Sequence, residues 1–226
     1  MSKPRQALYA IRDFAYTLAL AVFGWVLADF QSLIAHPIAI VGSFFTNFWN
    51  VLWVGLIIFA YCIEMVFCPG LIRPRDEEPV PWRRWKGMLM EANLVPAIFC
   101  ARLGVMQISH NDLIRYVGLF FFLVSMIVTI LYGVKRSQKV NDSGDNSYCT
   151  SGIYKLIRYP ERLAQFTYSL SVGFLFRSWL ALVATFFLMR WLISWLGKVD
   201  SFLDQKYGMD WVNYRTRTKK VLPFLI

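Results

Sequence analysis

The chain alternates long apolar runs with short, strongly basic polar stretches. A helix needs about 20 predominantly apolar residues to cross the ~30 Å hydrocarbon layer. Runs of that kind cover about residues 14–34, 48–67 and 114–134. A weaker segment, 88–109, contains Glu91, Asn93, Pro96 and Arg102, so it is expected to face protein or a hydrated cavity rather than lipid. Two further apolar segments, 163–176 and 179–196, are separated only by Arg177 and Ser178. The first is short for a crossing at 1.5 Å per residue, which predicts a tight hairpin with a buried turn. The pattern predicts an all-α, polytopic integral membrane bundle of five to six spans, closed by that hairpin.

The connections are equally patterned. Residues 35–47 carry no charge and are expected to lie in the interface or to re-enter. Cys68-Pro69-Gly70 stops the second span. A polar loop, 73–86, follows, with Trp82 and Trp85 where an interfacial aromatic belt belongs. No polar linker is long enough to separate a pair of folded units, so one membrane domain is expected over 1–226, with N-terminal spans in 1–134.

Composition supports the membrane reading. Of 226 residues, 57% are hydrophobic and 17% charged, against about 45–50% and about 25% in soluble domains. A net charge of +10 suggests nucleic acid in a soluble protein, but in a membrane protein it marks cytoplasmic loops. With the N-terminus inside, the inner side holds three Lys and Arg before the first span and five in the 73–86 loop. Six more lie in 135–162 and six after Gly197, leaving only Arg102, Arg115, Arg177 and Arg190. That asymmetry places both termini in the cytoplasm of a bacterial inner membrane or eukaryotic endomembrane protein, and argues against a nucleic-acid partner. No cleavable secretory signal is expected, because the first apolar segment is long and no small-residue cleavage site follows it. Four cysteines without a C-x-x-C pair and only two histidines, His36 and His110, make a metal site unexpected.

Two stretches carry candidate chemistry. Residues 141–151 form a polar, turn-rich loop leading into Gly152-Ile153-Tyr154-Lys155-Leu156-Ile157-Arg158-Tyr159-Pro160. The spacing of Ile153, Leu156 and Ile157 predicts an amphipathic surface helix. In the second stretch, Val199, Phe202, Leu203 and Tyr207 repeat every three or four residues. The last apolar helix is therefore predicted to run on as an amphipathic helix ended by Gly208. Trp211, Tyr214, Lys219 and Lys220 then form a basic-aromatic tail, read by itself as an interfacial anchor.

Taken in order, these pieces read Gly-x-Tyr-x-x-x-Arg-x-Pro, a hydrophobic hairpin, an aromatic-Gly helix end, an aromatic-x-x-Tyr and a basic-Val-x-x-Pro. The set, about Gly152 to Pro223, resembles the isoprenylcysteine carboxyl methyltransferase family, which is similar to membrane phospholipid N-methyltransferases. The resemblance makes 135–226 a methyltransferase-like hairpin and cytosolic segment. It implies a pocket for S-adenosylmethionine in which Gly152, Tyr154, Arg158, Tyr159, Pro160, Asp200, Trp211 and Tyr214 bind the cofactor. Arg158, Asp200 and Glu91 are the catalytic candidates, with Asn93 and Arg102 beside Glu91 at the acceptor end. The chain departs from the family strings at Tyr159, where a histidine is usual, at Arg162, for tyrosine, and at Val199, for glutamate.

The expected activity is methyl transfer to a lipid or lipidated acceptor entering from the bilayer. The alternative is a non-catalytic, methyltransferase-like structural or assembly subunit of a larger membrane complex, with partner membrane subunits. A sterol-type membrane reductase is a third reading, but no Gly-rich phosphate loop supports it.

Overall fold

The computed structural model describes residues 3–67, 92–143 and 148–221, and among these the fold is helical, with no β-structure beyond two isolated bridges. The helices are α1 (Lys3–Leu27), α2 (Phe30–Ala35), α3 (Pro37–Thr46), α4 (Phe48–Phe67) and α5 (Leu94–Leu103). They continue with α6 (Leu113–Ser143), a 3₁₀ turn (Gly152–Lys155), α7 (Pro160–Leu175), α8 (Trp179–Tyr207) and α9 (Met209–Arg217).

Among the described residues, α6 over Leu113–Lys139 and α8 are long and apolar enough to cross a membrane. A third crossing is counted if the pair Ile38–Thr46 and Phe48–Ile63, bent by 77°, is one broken span. The protein is thus a helical membrane protein with two to three such helices among the described residues. Three segments of the six-span expectation are not among these: 14–34 is divided by a turn at residues 28–29 between α1 and α2, and two others fall short in length. The helix in 88–109 has only 10 residues, about 15 Å, because it ends at Gly104 in the left-handed region (φ 68°). Helix α7 has 16 residues. Residues 35–47, expected to lie in the interface or to re-enter, form α3, whose 77° bend against α4 is that of a broken span or of a re-entrant loop.

Helix α6 shows how composition sets the packing. Phe120, Leu123, Ile127 and Leu131, all more than half exposed, form one outward stripe at helical spacing. Its opposite face buries Phe122, Ser125, Met126 and Thr129. An exposed row of large apolar side chains is stable against lipid tails and unfavourable against water. The buried face packs on α7. Gly118 allows the approach, since a Cβ there would lie 2.6 Å from the Leu175 backbone nitrogen. Ser125 Oγ donates to the Ala164 carbonyl (2.8 Å), and Phe121 stacks on Phe174.

The hairpin turn forms at residues 176–178. Ser178 caps α8 by accepting from the Ala181 N–H (3.1 Å). Asn93 Nδ2 donates to Thr185 Oγ1 (2.8 Å) and to the Ala181 carbonyl (3.1 Å), fastening the start of α5 to α8. Arg102 pairs with Asp29 (3.0 Å) and lies 4.4 Å over the Trp25 ring, at the opposite end of the bundle from the C-terminal tail. Asn93 and Arg102, expected at the acceptor end, thus each fasten helices together, at opposite ends of α5.

Candidate functional site

Residue Tyr159 precedes Pro160, and the proline ring disfavours helical geometry there. Tyr159 accordingly adopts φ −125°, ψ 63°. The chain leaves the helical path after Leu156, and the surface helix expected over this stretch is reduced to the 3₁₀ turn. The backbone groups of 156–159 pair instead with the C-terminal tail. Arg158 N–H donates to the Lys219 carbonyl (2.8 Å), Tyr159 N–H to the Lys220 carbonyl (3.0 Å), and Lys219 N–H to the Leu156 carbonyl (3.1 Å). The tail is thus an internal latch as well as a basic-aromatic end.

The latch gathers charge around Asp200, which lies on the buried face of α8 and is 3% exposed. Tyr159 Oη donates to Asp200 Oδ1 (2.8 Å). Arg158 Nη1 reaches the same oxygen at 3.4 Å, with both side chains almost fully buried. Lys220 Nζ lies 3.6 Å from the other oxygen, Oδ2. Burial, then the Asp200 charge, hold the Tyr159 phenol far above its ordinary range, so it acts as a neutral donor. Tyr214 is raised in the same sense, first by burial and then by Tyr154 and Glu161.

Beside this cluster the aromatic side chains close on one another. Tyr148 lies 4.8 Å from Tyr207, 5.0 Å from Trp211 and 5.6 Å from Tyr214, centroid to centroid. Tyr214 Oη donates to the Tyr154 carbonyl (2.7 Å), tying α9 to the 3₁₀ turn. That turn opens at Gly152 with φ +61°, and a Cβ there would come within 2.7 Å of Lys135 Cγ. Val199, where the family carries an acid, is buried in the apolar core beneath. Pro160 begins α7 and is buried.

The sequence-predicted residues thus fall into one region: Arg158, Tyr159 and Asp200 in direct contact, Tyr154, Trp211 and Tyr214 beside them, Gly152 and Pro160 shaping the backbone. Glu91 lies outside the described residues. Sequence reasoning missed Tyr148, the aromatic centre of the region, and the pairing of Lys220 with Asp200.

Two spaces adjoin Arg158. The inner chamber, between Tyr148, Tyr154, Tyr159, Leu203, Trp211 and Tyr214, holds about 20 Å³, room for about one water. The outer groove, of about 290 Å³, is lined by Arg158 and residues 215–220. The cofactor implied by the resemblance carries a sulfonium, an amino-acid tail and an adenosine, and ligands of that size occupy ~300–1,000 Å³. As arranged, the chamber does not fit it, no carboxylate lines it among the described residues, and Asp200 is committed to three internal partners. Two buried donors, Arg158 Nε and Trp211 Nε1, have no acceptor among the described residues.

No protein-family model and no curated protein matches the chain.

Proposed function

We propose that this chain is a non-catalytic, methyltransferase-like membrane subunit, in which the site implied by the resemblance serves as an internal brace. The observation carrying this reading is the filled chamber. Tyr148 packs among Tyr207, Trp211 and Tyr214 and leaves about 20 Å³. The loss of an acid at Val199 and the neutralised Asp200 agree with it. In such a subunit the hairpin and tail form a rigid end, and the apolar faces of α6 and α8 meet lipid or neighbouring membrane chains.

A second reading, a membrane S-adenosylmethionine-dependent methyltransferase acting on a lipid or lipidated acceptor, draws on the two acceptorless donors, Arg158 Nε and Trp211 Nε1. Buried donors of that kind call for a partner. For this reading to hold, Tyr148 must swing out when the cofactor enters.

Calorimetric titration of the detergent-purified chain with S-adenosylmethionine and its demethylated product decides between them. The subunit reading expects no saturable binding at millimolar ligand. Saturable micromolar binding, lost in Asp200→Ala, overturns it and restores the enzyme.

A further inference from the structure

The outer groove has a chemistry of its own. Five of its seven lining residues are cationic (Arg158, Arg215, Arg217, Lys219 and Lys220), and no carboxylate lines it among the described residues. Asp200 lies behind Arg158 and Lys220, and Asp204 holds Arg215 at 2.7 Å. Five cations against two carboxylates leave a clear positive excess. Arg217 and Lys219 are exposed, and their side chains form no ion pair among the described residues. Arg158 Nε is buried without an acceptor among the described residues.

The latch makes this a built feature rather than a loose basic end. The backbone bonds from Arg158 and Tyr159 to Lys219 and Lys220 fix both walls. Guanidinium and ammonium donors converging at this density suit an anion with several oxygens on one centre, which is the chemistry of phosphate.

Position identifies the source. The last long apolar run of helix α8, interrupted only by Arg190, ends at Leu196, after which Gly197, Lys198 and Asp200 turn the sequence polar and Lys198 lies over the Trp195 ring. Asp200, at the level of the groove, is four residues further on, about 6 Å along the axis. The polar headgroup layer adds about 5–8 Å on each side of the hydrocarbon core. The cations therefore stand at the depth of lipid phosphates.

We propose that the groove is a phosphate site for an anionic phospholipid headgroup, held as a fixed ligand of the membrane surface. The proposal does not depend on whether the inner chamber binds a cofactor.

The test uses the full chain in detergent, titrated by thermophoresis with dioctanoyl phosphatidic acid, dioctanoyl phosphatidylcholine and inorganic phosphate. Saturable binding of the phosphatidate, much weaker binding of the other two, and a loss of about twenty-five-fold in Arg217→Gln/Lys219→Gln are expected, about fivefold per surface charge. Neither residue braces Asp200, so the double variant should melt with the parent. If it melts early, phosphatidate binding to the unmutated chain in high salt reads the same charges and should weaken. Affinity unchanged by the double substitution or by salt overturns the proposal, as does equal binding of phosphatidylcholine. Inorganic phosphate binding as tightly as the phosphatidate also overturns it, assigning the groove to soluble phosphate.

Discussion

Replacing Asp200 by asparagine keeps the shape of the side chain and removes only its charge, which isolates the brace. Tyr159 Oη retains an oxygen acceptor 2.8 Å away, so that bond weakens from charge-assisted to neutral, a change of about 1 kcal/mol. The larger loss falls on Arg158, whose side chain is 6% exposed and whose Nε already lacks an acceptor. Removing one partner of a buried ion pair costs about 3–5 kcal/mol, because the remaining charge stays desolvated. Lys220 is 29% exposed at its side chain and can turn to water, so it adds little. Asp200→Asn should therefore cost at least about 3 kcal/mol, or roughly 6–20 °C in Tm at ~2–4 °C per kcal/mol for a chain of this size. The assay is thermal unfolding in detergent, followed by a thiol-reactive fluorophore. Cys100 and Cys149 are buried while Cys62 is exposed, so a Cys62→Ser/Cys68→Ser background reports core opening. Asp204→Asn is the control. It breaks the half-exposed pair with Arg215, worth about 0–1 kcal/mol. An Asp200→Asn variant melting within about 2 °C of that control, the shift of a single kcal/mol, would refute the brace.

Packing and titration each supply another test. Gly118→Ala should destabilise the α6–α7 contact by about 2 kcal/mol or more, since the added Cβ meets backbone at 2.6 Å; an unchanged melting temperature in the same assay would show that the helices separate freely. Tyr159 and Tyr214 ionise near 10 when unfolded but resist ionisation when folded. Their stabilisation is thus complete below about pH 10 and drains away as pH rises above it, so Tyr159→Phe/Tyr214→Phe should flatten the alkaline fall in Tm measured between about pH 9 and 11.

Elements that follow from composition alone were legible in the chain. The helix over 48–67 and the turn at Arg177-Ser178 appear where the apolar runs and their breaks put them. The run of α8 through Val199 and Leu203 to Gly208 also appears, because one apolar face continues past the last hydrophobic run. What failed was structure set by distant partners. Ile153, Leu156 and Ile157 have helical spacing, yet Gly152 and Pro160 break the backbone at both ends, and the partner of 156–159 lies about sixty residues on, at Lys219 and Lys220. Helix α6 runs past Val134 to Ser143 although its sequence turns polar, and Arg136 and Ser137 there are buried. For the site, the motif spacing named Arg158, Asp200, Trp211 and Tyr214, which do gather at one end. Tyr148 had no spacing signal, because it stands alone at the end of a polar loop, and its role exists only once α8 and α9 close around it.

The two spaces on either side of Arg158 prefer opposite kinds of ligand. The inner one is aromatic, nearly full, and adjoins an acid whose charge is already matched by Arg158 and Lys220. A cationic sulfonium entering there would face Arg136 and Arg158 and find no carboxylate among the described lining groups. The outer space carries the unmatched positive charge of Arg217 and Lys219. An anion bound there would also relieve Arg158, whose Nε has no acceptor among the described residues and whose Nη1 is tied to Asp200 at a long 3.4 Å. Binding in the groove should consequently tighten the brace. In the presence of dioctanoyl phosphatidic acid the parent should melt at a higher temperature, by the usual linkage of ligand to the folded state. Asp200→Asn, whose Arg158 is left without its acid, should gain more from the same lipid than the parent does. An equal gain in both would mean that groove and brace do not share Arg158.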